Sequence, residues 1–395
     1  MVKALREVAQ DVADSPSPKA VAAVPAKVNT DGNKLRIHAL AYVAAVALSF
    51  SALVYGNKSF APEMYGTGGM APAAEAQAQG LNYAVFDLNL NVRAWHDEQL
   101  ARLTKTPDVV IIGASHWQEA HKDQLRGLDF FNAHIHRDYW EDLPGMVELL
   151  VRHDRLPKKL IVAVRDKQFM PVDERKDWLW EPGIPAYRAF TQRVGMATES
   201  WYKTAPWHRT QALISLPMFF ENFTRWQHAP EHPGPTSLNR SETMDLILPD
   251  GSILWSNRKL TQIFTRERTL NEVNNFAKVA LNSPVSIAPE GVEAWRKTFE
   301  FLKSKGVQVY LVNPPFNPDF YDRIAGTPYA VGLAKIEALT QKFSTDFGFP
   351  IFGSFNPHKI GCVAENYIDA EHSNPACLQK IFDQFLVVDK QLGGK

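Results

Sequence analysis

Two short stretches hold residue types that could do nucleophilic chemistry together. The first is Gly113-Ala114-Ser115-His116, which directly follows the β-branched run Asp108 to Ile112. The second is Asp369-Ala370-Glu371-His372, near the C-terminus. A serine hydroxyl is a weak nucleophile until a base removes its proton, and the base needs a carboxylate to orient it. An Asp three residues before a His can accept from one ring nitrogen while the other faces a serine. In that arrangement Ser115 is the nucleophile, His372 the general base and Asp369 its orienter. Each stretch also has a plainer reading. Ser115 with Gln118 fits a Ser-x-x-Gln capping box at a helix start, and Asp369 with His372 fits a surface carboxylate beside a helix-capping imidazole.

The elements that would carry these residues alternate between strand and helix. Residues 108–112 (DVVII), 128–132 (LDFFN), 159–164 (KLIVAV), 307–312 (VQVYLV) and 350–352 read as strands. Helical spacing covers 142–153, 295–305, 328–346 and about 376–390. Such alternation implies an α/β domain with a parallel sheet and helices on both faces, a three-layer α/β/α sandwich. Ligands sit beyond the carboxyl ends of strands in open sheets of this kind. Ser115 occupies such an end, where backbone N–H groups at the next helix start could hold an oxyanion. Residues 167–290 break the rhythm and read as a mostly helical insertion. It contains one hairpin signal, Leu246 to Trp255, with Asp250-Gly251 at the turn.

The two stretches together resemble the SGNH, or GDSL-like, hydrolase superfamily. There a Ser follows the first strand and Asp-x-x-His lies near the C-terminus. The order Ser, Asp, His also suits α/β-hydrolases, but Trp117 stands where their Gly-x-Ser-x-Gly motif needs its second Gly. The resemblance covers roughly 105–165 and 295–390 and is nearer still to membrane-anchored members of teichoic-acid D-alanylation and alginate O-acetylation. It implies a flavodoxin-like sheet order and the triad Ser115, His372 and Asp369. Two family features are absent. Residues 131–136 lack the oxyanion-hole Gly, and Arg165-Asp166-Lys167 stands where a Gly-x-Asn-Asp block would be. Candidate oxyanion donors are therefore the backbone N–H of Ser115 and the side chains of Asn132 and Arg165. His116, His134 and Asn313 are candidates to rim the cleft.

Composition and the N-terminus bound the setting. The 395-residue chain is 45% hydrophobic and 22% charged, with Lys+Arg and Asp+Glu both at 43. That balance carries no basic footprint for nucleic acid. Residues 1–35 are polar and Ala/Pro-rich and read as a disordered tail. Ala39 to Gly56 is an uncharged, apolar run of about 18 residues, near the lower limit for a membrane span. A cleaved signal peptide or a core helix would share that composition, but the polar stretch before it is long for a signal peptide. Basic residues cluster before the run, which places the N-terminus in the cytoplasm and residues 57–395 outside. Residues 57–80 read as a flexible tether, and 81–395 as the domain. The two cysteines, Cys362 and Cys377, form a disulfide if exported and stay buried thiols otherwise.

Other features point less far. His134-x-His136, with His116 and His121 nearby, does not make a converging zinc set, and neither metal nor cofactor is expected. Ten Trp occur, of which Trp178, Trp180, Trp201, Trp207, Trp226 and Trp255 lie in or beside the insertion. They are insertion core or an aromatic surface for sugar rings or acyl chains. The expected function is that of a single-pass bacterial inner-membrane protein with a periplasmic serine esterase or O-acyltransferase domain. Its substrate would be an envelope or exported polysaccharide bearing an ester, with acetyl as the default group. The reading from another class is a catalytically inactive glycan-binding or assembly subunit. A multispanning acyl-donor partner is compatible with either.

Overall fold

Burial of a β-branched strand on both faces organises the structure, a computed structural model that describes residues 31–60, 70–85, 91–169, 171, 183–197, 214–228, 233–281 and 284–393. The helices are α1 (Asp31–Phe60), α2 (Ala71–Ala78), α3 (Val92–Arg102), α4 (Asp142–Arg152), α5 (Ile184–Arg193), α6 (Leu216–His228), α7 (Arg266–Leu281), α8 (Pro289–Ser304), α9 (Pro318–Arg323), α10 (Pro328–Phe347), α11 (Pro357–Ile360) and α12 (Pro375–Gln391). The strands are β1 (Asn82–Val85), β2 (Val109–Ala114), β3 (Phe130–Ile135), β4 (Lys159–Ala163), β5 (Gly234–Thr236), β6 (Asp245–Ile247), β7 (Ile253–Leu254), β8 (Gln308–Asn313) and β9 (Ile351–Gly353). The chain divides after Ser51 into two compact units. The tail expected over 1–35 lies mostly outside the described residues, as do Trp178, Trp180, Trp201 and Trp207.

Five strands form a parallel sheet in the order β3-β2-β4-β8-β9. All six residues of β2 are buried. Its side chains alternate between two clusters, as strand geometry requires. Val110 and Ile112 join Leu160, Val162, Val309 and Leu311 with Trp95 of α3, Met146 of α4 and Trp295 and Phe299 of α8. Val109 and Ile111 join Ile161, Tyr310 and Val312 with Trp117 and with Leu378, Ile381, Phe382 and Phe385 of α12. Each such side chain contributes about 1.5–3 kcal/mol of transfer free energy when fully buried. The chain leaves β2 for β3 on one side and later adds β4 on the other. This makes the carboxyl end of β2 the switch point of the sheet, where neighbouring connections diverge and leave a crevice. Ser115 follows β2 directly.

Among its described residues the insertion holds helices α5, α6 and α7, and it also supplies β5 and β6, which pair antiparallel with β1, and β7, which pairs antiparallel with β6, in the order β5-β1-β6-β7. The Asp250-Gly251 turn between β6 and β7 reaches the edge strand β3, where Asn132 N–H donates to Asp250 O at 2.7 Å. Gly251 has φ +83, and a Cβ there would stand 2.3 Å from Asn132 O. Only glycine satisfies both the left-handed backbone and the close approach. An open edge is thus covered by the tip of a hairpin.

Of the tether expected over 57–80, residues 61–69 lie outside the described residues, and both described ends are helical rather than extended linker. Helix α1 runs on to Phe60, and α2 is an Ala-rich helix with Ala73 and Ala74 buried. Trp95 Nε1–H donates to Gln77 Oε1 at 2.9 Å, and Gln77 Nε2 donates to Leu248 O at 2.9 Å. Alanine favours helix and its small side chain permits close packing, so a composition that suits a linker here builds a packed element. Within α1, Arg36–Asn57 is long and apolar enough to cross a membrane.

Gly251→Ala should lower unfolding free energy by about 2–4 kcal/mol, because it adds both a left-handed penalty and a backbone clash. A urea midpoint equal to wild type would contradict the docking of this turn on β3.

Candidate active site

The turn that presents Ser115 is built by its neighbours. Gly113 is the last position before the bend where a side chain would collide, since a Cβ would lie 2.6 Å from Ala163 Cβ and 2.7 Å from Trp117 Cδ1. The buried Trp117 ring fills that space. Residues 115–117 form a single 3-10 turn, with Gln118 N–H donating to Ser115 O at 3.1 Å. The Gln118 N–H donates to the Ser115 carbonyl rather than to its hydroxyl, so the capping-box alternative does not describe this turn. The Ser115 hydroxyl turns instead to His372.

The second stretch is folded into a tight loop by its own aspartate. Asp369 Oδ1 accepts from the N–H groups of Glu371 and His372, both at 2.7 Å. Asp369 Oδ2 lies 2.7 Å from His372 Nδ1, and His372 Nε2 lies 2.8 Å from Ser115 Oγ. Asn317 grips the loop from below, donating from its N–H to Ala370 O and from Nδ2 to Asp369 O at 2.9 Å. Thr269 Oγ1 donates to Ile368 O at 3.0 Å. Cys362 and Cys377 are bonded, and the segment they close carries both Asp369 and His372. The carboxylate–imidazole–hydroxyl chain is thus assembled with hydrogen-bond geometry at each link. Side-chain exposures of 24% for His372 and 32% for Asp369 leave the group reachable.

Partial burial alone would lower the His372 pKa, but the Asp369 charge and hydrogen bond override it and hold it above the ordinary imidazole value. Burial would raise Asp369, yet the His372 charge and the hydrogen bonds it accepts hold it below the usual carboxylate range. The pair is therefore poised to accept a proton at Nε2 and to stabilise the imidazolium that results.

Glu371, inside the Asp-x-x-His stretch, anchors the loop through a contact that sequence reading missed. Arg165 Nη2 donates to both of its carboxylate oxygens at 3.2 and 3.1 Å, and Lys167 Nζ donates at 3.0 Å. Burial would raise the Glu371 pKa, but the charges of Lys167 and Arg165 drive it well below the carboxylate range. Arg165 also donates from Nη1 to His116 Nδ1 at 3.2 Å. Burial, then the Arg165 charge, keeps the His116 imidazole neutral. Its ring stacks on His372 at 5.3 Å between centroids and 23° between planes. Glu119, four residues past the serine, is a further group the sequence did not mark. Burial pushes its carboxyl up to about 8 against the opposing charge of Arg240.

Several expected roles are corrected. Asn132 is not an oxyanion donor, because its Nδ2 hydrogens go to Trp117 O at 2.6 Å and Ala120 O at 3.0 Å. It fastens the turn after Ser115 to β3 instead. Arg165 turns Nη1 to His116 and Nη2 to Glu371, while its buried Nε has no hydrogen-bond partner among the described residues. His134 does not rim the cleft; it is fully buried between Trp95, His96 and His136. Asn313 is buried as well and donates to Val164 O at 3.1 Å and Thr340 Oγ1 at 3.2 Å, tying β8 to β4. His116 does lie at the site, beneath His372. His121 faces elsewhere, with Nδ1 2.8 Å from Ser252 Oγ.

Two outcomes follow from this geometry. Reaction of Ser115 with an activated ester should fall as pH drops through the His372 pKa, since only the neutral ring can take the proton. Asp369 raises that pKa, so the acid limb should lie above about 6.5. Asp369→Asn should move it to lower pH and cut the rate about 10⁴-fold; an unshifted limb would show that another group titrates. Arg165→Met should cost about 3–5 kcal/mol in urea unfolding, because it leaves the Glu371 charge buried with Lys167 alone. A change below about 1 kcal/mol would mean that the pair does not hold the loop.

Comparison with protein-family models gives no match for this chain, and comparison with curated proteins gives none either.

Proposed function

We propose that this protein is a membrane-anchored serine esterase or O-acyltransferase of the SGNH type, acting outside the cytoplasm on an ester-bearing envelope or exported glycan. One observation carries the reading: Ser115 Oγ stands 2.8 Å from His372 Nε2, whose other nitrogen stands 2.7 Å from Asp369. The strand order and the two clusters on opposite sheet faces support a three-layer α/β/α sandwich. The apolar helix, the basic residues before it and the Cys362–Cys377 bond support an exported domain.

In this reading Ser115 Oγ attacks the ester carbonyl as His372 Nε2 takes its proton. Asp369 stabilises the imidazolium, and the oxyanion is held by the backbone N–H of Ser115 at the turn start. The tetrahedral intermediate collapses as His372 protonates the leaving alkoxide. A sugar hydroxyl or water, deprotonated by His372, then attacks the acyl-enzyme and restores Ser115. Acetyl is the group favoured by the family resemblance, and a multispanning donor would be a fitting partner for an anchored transferase.

The non-catalytic reading, a glycan-binding or assembly subunit, draws on a different observation. Both side chains expected to complete an oxyanion hole spend hydrogen bonds elsewhere, Asn132 on backbone carbonyls and the Arg165 Nη groups on Glu371 and His116. Full-length protein in detergent, mixed with 4-nitrophenyl acetate, separates the two. A burst of one nitrophenolate per chain, an acetyl group on the Ser115 peptide and loss of both in Ser115→Ala support the enzyme. Faster deacylation on adding an acceptor polysaccharide would mark a transferase. A folded wild type that acquires no acetyl group supports the binding subunit.

A further inference from the structure

We propose that helix α6, Leu216–His228, lies in the membrane–water interface and rests the exported domain on the lipid surface. The inference depends on the reading of α1 as a membrane anchor. It starts from the contacts at the outer end of the span. Arg36–Asn57 is the stretch apolar enough to cross, so Gly56 and Asn57 mark its boundary. The start of α6 is fixed at this boundary. Asn57, fully buried, donates from Nδ2 to Ser215 O at 3.4 Å. Phe219 packs directly on the helix at Gly56, where a Cβ would lie 2.2 Å from its Cε2. The Phe219 ring therefore stands at the depth of the last apolar turn of the span.

Leu216 and Phe220, beside Phe219, are apolar and exposed. Leu216, Phe219, Phe220 and Phe223 follow the i, i+3, i+4, i+7 spacing of one helix face. Phe219 rings lie 5.6 Å from Phe220 and 6.4 Å from Phe223, which makes the face a contiguous aromatic patch. Leu216 is 51% exposed and Phe220 57% exposed. One helical turn spans about 5.4 Å, so both lie within roughly a turn of Phe219 and of the boundary. Tyr55, an amphipathic ring of the type enriched at membrane interfaces, is exposed at the same level. An aromatic helix face continuous with the end of a membrane span has one occupant at that depth, the headgroup and upper acyl region of a bilayer. Helices that bury one apolar face there lie in the interface plane.

The test uses full-length protein reconstituted in phosphatidylcholine–phosphatidylglycerol vesicles. Because the native cysteines are bonded to each other, a single introduced cysteine takes an environment-sensitive maleimide dye. Labels are placed by Phe220→Cys and, separately, Leu216→Cys, with Val46→Cys inside the span and Val387→Cys on the exposed side of α12 as references. The expected result is blue-shifted emission at 216 and 220 and strong quenching by lipids with nitroxides high on the acyl chain. Position 387 should show neither. Water-like emission at 216 and 220 with a quenched label at 46 overturns the proposal while leaving the anchor intact. Blue-shifted emission without lipid quenching overturns it too, and shows a protein surface covering the face. An unquenched label at 46 removes the anchor reading and the proposal with it.

Discussion

The Arg165–Glu371 ion pair is the constraint on which the site depends. Ser115 and His372 are far apart in the chain, and a hydrogen bond between them requires two loops to be held within a fraction of an ångström. Arg165 follows β4, the neighbour of β2 in the sheet. Glu371 sits between Asp369 and His372. By clamping Glu371 with Arg165 and Lys167, the end of β4 holds the His372 loop over the end of β2. The pair is nearly excluded from water, so it is held by the full set of hydrogen bonds around it rather than by charge alone. The same guanidinium orients His116, whose neutral ring forms the floor under His372.

Around that clamp the backbone is fixed from three further directions. Asn317, at the start of α9, supports the loop through its main chain and its carboxamide. The Cys362–Cys377 bond closes the segment that carries it. On the opposite side Asn132 holds the turn after Ser115, and the Asp250-Gly251 hairpin tip holds Asn132. The insertion thus buttresses the Ser115 turn through backbone contacts with the edge of the parallel sheet.

Much of this was legible in the sequence, for a physical reason. The β-branched runs at 108–112, 159–164 and 307–312 are strands because a strand covered on both faces has no other pattern available. The meeting of Ser115, Asp369 and His372 was expected because few residue types can form a carboxylate–imidazole–hydroxyl chain. The Asp-Gly turn at 250–251 was equally plain. What stayed hidden concerns where polar side chains spend their hydrogen bonds. Asn132 and Asn313 sit at strand positions that suit a cleft, yet Asn132 donates to two backbone carbonyls and Asn313 to a carbonyl and a threonine hydroxyl, which one sequence does not reveal. His134 lies on a strand whose two faces are both buried, so its exposure could not be read from alternation. Glu371 lay inside the decisive motif, but its partners come from another strand end. Residues 70–80 resemble a tether in composition and pack as a helix because alanine serves both purposes.

The most direct measurement is intact-mass spectrometry of the full-length protein after a fluorophosphonate probe, with wild type, Ser115→Ala and Asp369→Asn treated in parallel. A serine activated by His372 and Asp369 should give one phosphonyl adduct on wild type, located at Ser115. Ser115→Ala should give none, and Asp369→Asn should react far more slowly. A folded wild type that gains no mass, or a Ser115→Ala variant that labels equally, would contradict the assignment of Ser115 as an activated nucleophile.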